Sequence, residues 1–193
     1  MVRTTTSFVY NYERPINDDV QGSIIDIETI GDFNKHQKGD SREYSNLKQT
    51  ILGYISNGKL QIHCAINEQG ITELATMTNA ILQTLKRPFY AYQCTFESAV
   101  WFNQLGIKVH FDGELQRYKY EAKRNAITSL NIPNYKDPFL NNGLKCTQAW
   151  QSGNIKYAIA HNRACLLKER DILLKRGYRD VEPCVFVRVE GSP

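Results

Sequence analysis

Apolar and β-forming residues along the first third of the chain are grouped in short runs separated by polar segments. Residues 23–27 form a short apolar run with acidic residues at its end, which is typical of a buried central strand. Residues 47–56 and 60–66 are rich in β-forming side chains. Asn57-Gly58 lies between them and is a strong signal for a hairpin turn. This part of the sequence therefore predicts a buried strand followed by a hairpin.

The pattern then alternates between helix and strand. Residues 72–86 place apolar side chains three and four positions apart, which predicts a helix, and residues 89–93 suit a buried strand. A second helix is expected from a Thr95 cap to about Leu105, where Gly106 ends it. Residues 107–111 are predicted to form one more strand.

The remainder of the chain is mostly helical in pattern. Helices are predicted at about 121–130, 144–151 and 154–175, and residues 184–189 suit a closing strand or a packed tail. A hairpin, then β-α-β-α-β, then helices predicts an α/β fold with a mixed central sheet and helices on both faces. The length suits a single domain over residues 22–193, with residues 1–21 as an N-terminal arm or edge strand.

Composition favours a folded protein of the cytoplasm. Hydrophobic residues make up 41% and charged residues 23% of the chain, which are ordinary values for a globular domain. The sequence has no apolar run near the ~20 residues that a bilayer span needs, and no export signal is visible. The five cysteines are odd in number and widely spaced, so buried free thiols are expected rather than disulfides or a zinc finger. The net charge of +4 is compatible with a polyanionic partner without requiring one.

Asp26 and Glu28 are the most informative residues for chemistry. Positions two apart on a strand face the same side, so the two carboxylates project together from a largely apolar run. Buried carboxylates at one point repel each other unless a cation compensates, and hard oxygen ligands suit Mg²⁺ or Mn²⁺. An exposed acidic pair at the end of a strand explains the same spacing without a metal.

Three segments resemble the motifs of DEDD-type 3′–5′ exonucleases. Residues 23–29, SIIDIET, are similar to their first motif, and residues 90–97, YAYQCTFE, are similar to the second. Residues 158–165, AIAHNRAC, are similar to the last motif, in which a Tyr or His precedes an Asp on a helix. The motifs occur in the expected order over about residues 22–180, and the YprB-like exonucleases of RNase H-like fold are the nearest relatives that they suggest.

The resemblance implies an RNase H-like fold and cleavage of phosphodiesters with two Mg²⁺ or Mn²⁺ ions. By resemblance Asp26 would bridge both ions, Glu28 would bind the ion on the nucleophile side, and Glu97 would hold the second ion. His161 would orient or deprotonate the attacking water. Two simpler explanations stay open: Glu97 could interact only with the helix N-terminus, and His161 could be a half-buried helical histidine bonded to a neighbour.

Cys165 is where the chain departs from the family pattern, because it occupies the position of the last motif's aspartate. A thiolate is a poor ligand for Mg²⁺. Glu169, one helical turn later, or a water could replace the missing carboxylate. Otherwise one metal site is weak, which leaves a slow enzyme or a nucleic-acid-binding or scaffold domain without catalysis.

The expected substrate is a single-stranded DNA or RNA end, and no membrane partner is expected. Tyr92 could stack a terminal base, and Arg163 with other basic side chains could contact phosphates. For any single basic residue, a solvated helix face interleaved with acids is the simpler explanation. An endonuclease acting on structured nucleic acid is a further alternative, and the chain leaves room for a protein partner in trans.

Overall fold

The computed structural model describes residues 7–17 and 20–188 of the chain. A short 3₁₀ helix (Ser41–Tyr44) follows β2. The strands and α-helices, in chain order, are β1 (Val9–Pro15), β2 (Ser23–Ile30), β3 (Lys48–Ser56), β4 (Lys59–Ala65), α1 (Glu68–Thr84), β5 (Phe89–Ala91), α2 (Cys94–Leu105), β6 (Gly113–Glu114), α3 (Lys123–Ser129), α4 (Gly143–Gln151) and α5 (Ile155–Arg176). The predicted mixed α/β class is confirmed by this set of elements.

Within the described residues, six strands form one sheet in the order β1-β4-β3-β2-β5-β6. The pairs β1–β4, β4–β3 and β3–β2 are antiparallel, whereas β5 and β6 continue the sheet parallel to β2. Consecutive residues of β2 and β3 are buried, so helices must cover both faces at the centre of the sheet. The β2 strand therefore lies inside the sheet, with antiparallel neighbours on one side and parallel ones on the other.

The helices divide between the two faces. Gln49 of β3 accepts hydrogen bonds from Thr78 of α1 and Trp101 of α2, which places α1 and α2 on its side. Gly53 lies opposite Asp26 of β2 and faces Asn162 of α5. The β2–β3 pairing contains a bulge between Gln49 and Ile51. Because the bulge shifts the alternation of side chains by one residue, Gln49 points to the face opposite Asp26. Helix α5 thus packs on the face that carries the acidic side chains.

The hairpin prediction is confirmed, with Asn57 and Gly58 both at positive φ between β3 and β4. Helix α1 begins four residues before the predicted position. Asn67 caps it through the amide of Gly70, and a Cβ on Gly70 would lie 2.3 Å from the Phe8 carbonyl oxygen. The glycine that looks unsuited to a helix is therefore required by close packing against β1.

Two local predictions are wrong. Residues 107–111 do not form a strand; the strand at this edge is Gly113–Glu114, since β5 has three residues and offers room for only a short partner. Helix α2 begins at Cys94 and has no side-chain cap, so Thr95 is not its cap, whereas Gly106 ends it at a φ of 69° as expected.

The chain after α5 packs as a tail. Arg179 forms an isolated antiparallel bridge with Glu114, and the hydroxyl of Ser41 binds the backbone of Val187. Of the predicted segment 184–189, residue 189 lies outside the described residues, as do residues 1–6 and 18–19 of the predicted arm. In the part of the chain that the structure describes, no helix combines the length and apolar character needed to cross a bilayer.

Candidate metal centre

Asp26 and Glu28 project from β2 toward α5, as the two-residue spacing predicts. Asp26 is 6% exposed, and a register shift in the β2–β3 pairing directly follows Glu28. The side-chain amide of Asn162 donates to Asp26 Oδ2 over 2.7 Å, which fixes the orientation of that carboxylate. A Cβ on Gly53 would lie 2.0 Å from Asn162 Oδ1, so only glycine at this position lets α5 approach.

Lys123 is the cation closest to this pair. Its Nζ lies 3.1 Å from Asp26 Oδ1 and 2.5 Å from Glu169 Oε1, and it sits 5.2 Å from the centroid of the Tyr92 ring. Burial lowers the pKa of Lys123, but the charges of Asp26 and Glu169 outweigh it and hold the pKa above its ordinary value. One ammonium group therefore links two carboxylates that are remote in sequence.

Glu97, in the first turn of α2, is a buried carboxylate without a compensating charge of its own. It is 4% exposed, and its Oε2 accepts no hydrogen bond within the described residues. Burial raises its pKa well above the ordinary value, and the nearby charge of Asp26 raises it further. Glu169 is fully buried, burial likewise raises its pKa, and its Oε2 also accepts no bond there. Such orphaned carboxylate oxygens are costly in the absence of a cation.

His161 is held by a second buried network. Its Nδ1 lies 2.7 Å from Asp137 Oδ1, and Lys168 donates to Asp137 Oδ2 over 2.6 Å. The Asp137 carboxylate also accepts the backbone amides of Phe139 and Asn141. With Nδ1 engaged, His161 directs Nε2 toward Glu28, whose Oε1 lies 3.6 Å away.

Glu28 and His161 influence each other electrically. Burial raises the pKa of Glu28 to about 7, with Asp26 adding to the effect and His161 opposing it. Burial lowers the pKa of His161, but Glu28 and other neighbours reverse this and raise it to about 11. The two shifts favour a proton on His161 opposite Glu28, and among the neighbouring charges that of His161 most strongly lowers the pKa of Glu28.

These side chains border an open cavity of about 460 Å³. It is lined by the charged or polar groups Asp26, Glu28, Glu97, Lys123, His161 and Cys165, and by the aromatic rings of Phe33, Tyr92 and Phe96. Of these rings, Phe33 is about half exposed, whereas Tyr92 is buried and donates its hydroxyl to Glu121. The cavity therefore combines several carboxylates with an aromatic rim and access from solvent.

The structure brings together most of the side chains selected from sequence. Asp26, Glu28, Glu97, Tyr92, His161 and Cys165 line one cavity, and Glu169 joins them through Lys123. Arg163 does not: it donates to the Tyr135 carbonyl oxygen and borders a separate pocket beside Tyr10 and Tyr157. Several of the other basic residues proposed as phosphate contacts are paired with acids, namely Lys119, Lys168, Arg170, Arg176 and Arg179.

Three residues of the centre were missed or given another role. Lys123 was not singled out from the sequence. A lysine in the first turn of a helix interacts unfavourably with the helix dipole, so its position at the start of α3 could have indicated a special role. Asp137 accepts the backbone amides of Phe139 and Asn141 in its own turn, and it also orients His161 across 24 residues of sequence. Nothing in the sequence indicated that Asn162 would contact Asp26, except that it follows His161.

The donor set can hold divalent cations. Asp26, Glu28 and Cys165 present ligand atoms within 4.8 Å of one another, and so do Glu28, Cys146 and His161. Glu97, which borders the same cavity, and Glu169 each have a carboxylate oxygen without a hydrogen bond among the described residues, and such oxygens are hard donors. Searches against protein-family models, curated proteins and solved structures found no match to this chain. The case for a function therefore rests on the geometry of the centre itself.

Proposed function

We propose that this chain is a metal-dependent 3′–5′ exonuclease of RNase H-like fold that acts on single-stranded DNA or RNA ends. The observation that carries the proposal is the convergence of Asp26, Glu28 and Glu97 at one cavity, with Glu169 behind them on Lys123 and with His161 beside Glu28. This excess of buried negative charge is what a pair of divalent cations would neutralise.

The fold gives independent support. The acid-bearing strand β2 lies inside a mixed sheet, between an antiparallel hairpin and two parallel strands, and the second acidic motif opens a helix next to it. The third motif lies on α5, which packs over the acidic face. This arrangement is compatible with the RNase H-like fold that the motifs imply.

In this proposal Asp26, Glu28 and Glu97 hold Mg²⁺ or Mn²⁺, and Glu169 takes the place of the aspartate that Cys165 replaces. The ions supply activation of a water and stabilisation of charge on the leaving 3′-oxygen. Asn162 orients the Asp26 carboxylate, and Asp137 orients His161. The charge of Glu28 raises the pKa of His161, so a cation bound at Glu28 would lower that pKa and favour acceptance of a proton by His161.

The aromatic rim suits the end of a single strand. Phe33 packs against Tyr44 and Phe96 at ring-centroid distances of 5.6 and 6.4 Å, and its exposed face borders the cavity. An unpaired base can stack on such a platform, whereas a base held within a duplex cannot. The ring of Tyr92, by contrast, is buried and contacts the ammonium group of Lys123, so it does not offer an exposed face for stacking.

The alternative is a nucleic-acid-binding or scaffold domain of the same fold without catalysis. Two observations favour it: Cys165 supplies a thiol where a carboxylate is expected, and Lys123 Nζ lies between Asp26 and Glu169. An ammonium group in this position can replace a metal ion and leave the centre stable but inert.

The deciding experiment measures degradation of 3′-labelled and 5′-labelled single-stranded DNA and RNA with Mg²⁺, Mn²⁺ or EDTA. We expect metal-dependent shortening from the 3′ end that is lost in Asp26→Asn and retained in Asp171→Asn, whose carboxylate lies elsewhere on α5 beside Arg170. A circular single strand should resist cleavage, and if it is cut the activity is that of an endonuclease.

Absence of cleavage with either metal, together with salt-sensitive binding to the same strands, would contradict the exonuclease proposal and support the binding domain. Glu169→Gln tests the substitute carboxylate, because unchanged cleavage in that variant would exclude a role for it.

A further inference from the structure

Two thiols and a histidine lie on the inner wall of the candidate centre, where the proposed nuclease chemistry makes no use of the sulfur atoms. Cys165 Sγ lies 3.7 Å from His161 Nε2, and the two residues are one turn apart on α5. Cys146, on α4, forms a second group with Glu28 and His161, whose donor atoms all lie within 4.8 Å of one another. Three elements, β2, α4 and α5, thus bring the two thiols close to the same two residues, Glu28 and His161.

We propose that Glu28, Cys146, His161 and Cys165 form a site for a thiophilic divalent cation, Zn²⁺ by the chemistry of its donors. Two thiolates, one imidazole nitrogen and one carboxylate are a typical tetrahedral zinc set, whereas Mg²⁺ disfavours sulfur. This inference does not require the proposed nuclease activity, although Glu28 and His161 are shared between the two.

The distances suit tetrahedral coordination. With metal–ligand bonds of about 2.0–2.3 Å, neighbouring donors of a tetrahedral site lie roughly 3.3–3.8 Å apart. The measured separations are 3.6 Å from His161 Nε2 to Glu28 Oε1 and 3.7 Å from His161 Nε2 to Cys165 Sγ. These two pairs already have the spacing of neighbouring ligands, and binding further requires the Cys146 sulfur, which lies within 4.8 Å of Glu28 and His161, to adopt a similar spacing.

The histidine is oriented as metal-binding histidines usually are. Its Nδ1 lies 2.7 Å from the Asp137 carboxylate, which in turn is fixed by Lys168 and two backbone amides. A carboxylate that binds one imidazole nitrogen sets the tautomer and leaves the other nitrogen free for a metal. This second contact is an observation separate from the donor cluster, and surface histidines lack such an arrangement.

Cys165 gains an explanation from this site. It occupies the position of an aspartate in the exonuclease motif, and a thiol there is unsuited to Mg²⁺. Together with the nearby Cys146 and His161, Cys165 provides donors that are softer than carboxylates. On binding, each Cys S–H bond is replaced by an S–metal bond, His161 Nε2 gives up any proton that it carries, and these protons pass to solvent, so uptake of the ion releases protons.

The test uses the full chain, freed of metal by dialysis against a chelator and then titrated with Zn²⁺ or Co²⁺ in excess Mg²⁺. We expect one Zn²⁺ per chain and, for Co²⁺, the absorption of a tetrahedral site with thiolate-to-metal charge transfer. Cys165→Ser and Cys146→Ser should each weaken binding by more than about 100-fold, since loss of an outer partner alone costs 10–100-fold. Cys184→Ser is the matched control, because that thiol lies apart from the cluster.

No stoichiometric Zn²⁺ binding in excess Mg²⁺, or an unchanged Co²⁺ spectrum in Cys165→Ser, would overturn the inference. If a variant fails to fold, as judged by circular dichroism, the wild-type Co²⁺ spectrum still reports whether thiolates bind the ion. Nuclease assays on the same preparations separate the two proposals. Zn²⁺ binding without cleavage supports this site and contradicts the nuclease, and cleavage without Zn²⁺ binding does the reverse.

Discussion

At the scale of single residues, Lys123 balances the charge of the candidate centre. Its ammonium group binds Asp26 and Glu169 at once, and its side chain is 20% exposed. Lys119, four residues earlier, forms a pair with Glu182 in which both side chains are largely in water. The two lysines allow a buried and an exposed ion pair to be compared in one protein.

Replacing Lys123 by Met should lower the free energy of unfolding by about 3 kcal/mol in EDTA, because two buried carboxylates lose their cation. Added Mg²⁺ or Mn²⁺ should recover part of this loss. Lys119→Met is the control and should have little effect. Urea unfolding measures all of these values, and equal losses in the two variants would show that Lys123 does not carry the charge balance.

Glu97 is a buried carboxylate that, unlike those bound by Lys123, is not neutralised by a direct partner. Its Oε2 accepts no hydrogen bond within the described part of the chain. Glu97→Gln should raise the stability of the metal-free protein by about 1 kcal/mol, because an uncompensated charge is removed. The same change should reduce the stabilisation that Mg²⁺ or Mn²⁺ gives. Glu68→Gln, in the first turn of α1, is the control for loss of helix-dipole energy alone. A metal-free Glu97→Gln protein less stable than wild type would contradict this account.

At the scale of elements, the contact between β3 and α5 decides how Asp26 is presented. Gly53 lies opposite Asp26 on β3, and Asn162 of α5 occupies the space that a Cβ would need. The same Asn162 donates to the Asp26 carboxylate. Helix packing and orientation of the candidate ligand therefore depend on one small residue.

Gly53→Ala should destabilise the protein by about 1–3 kcal/mol, the usual cost of overpacking, and should weaken metal-dependent stabilisation by displacing Asn162. Gly143→Ala is a matched control, because a Cβ there meets no atom within 4 Å and the residue begins a helix. Thermal unfolding with and without Mn²⁺ measures both effects. If Gly53→Ala changed the stability as little as Gly143→Ala does, Asn162 of α5 would not be packed against Gly53 as described.

At the scale of the whole molecule, ion pairs tie the end of α5 to the segment that precedes α3. Arg176 binds both oxygens of Glu121, at 2.9 and 2.6 Å, and the Arg117 amide donates to the same carboxylate. Burial alone raises the pKa of Glu121, but these hydrogen bonds outweigh it and hold the pKa below its ordinary value of 4.5. A net charge of +4 thus coexists with arginines that are occupied internally.

This pair should make stability dependent on pH in the acid range. Since the folded pKa of Glu121 lies below the unfolded value, its contribution is present above about pH 4.5 and is lost as the pH falls through the folded pKa. Glu121→Gln should therefore cost about 1–2 kcal/mol at pH 7 and progressively less toward pH 3. Urea unfolding over this range is the measurement, with the exposed Glu13→Gln as the control. A cost that does not change with pH would exclude ionisation as the cause.

Local signals in the sequence determined much of the framework. The Asn57-Gly58 turn requires positive φ at both residues, and the apolar periods of α2, α4 and α5 follow from burial on one side, so these were predictable. The same-face placement of Asp26 and Glu28 follows from the pleat of any strand. The predictions were wrong where contacts with another part of the chain determined the structure. Helix α1 starts at Glu68 because Gly70 packs on Phe8, and residues 107–111 lack a strand partner among the described residues.

The composition of the centre was decided only by the tertiary structure. Lys123 reaches Asp26 across 97 residues and Glu169 across 46, and Asp137 reaches His161 across 24, distances over which no periodic pattern extends. Ligand identity depends on side-chain direction in three dimensions, and a linear pattern records only which face of one element a residue occupies. Sequence therefore supplied Asp26 and Glu28 from the pleat of the strand and, by resemblance, Glu97, His161, Cys165 and Glu169. Packing of α4 and α5 on the sheet, and of α3 on α5, brought in Lys123, Asp137, Cys146 and Asn162.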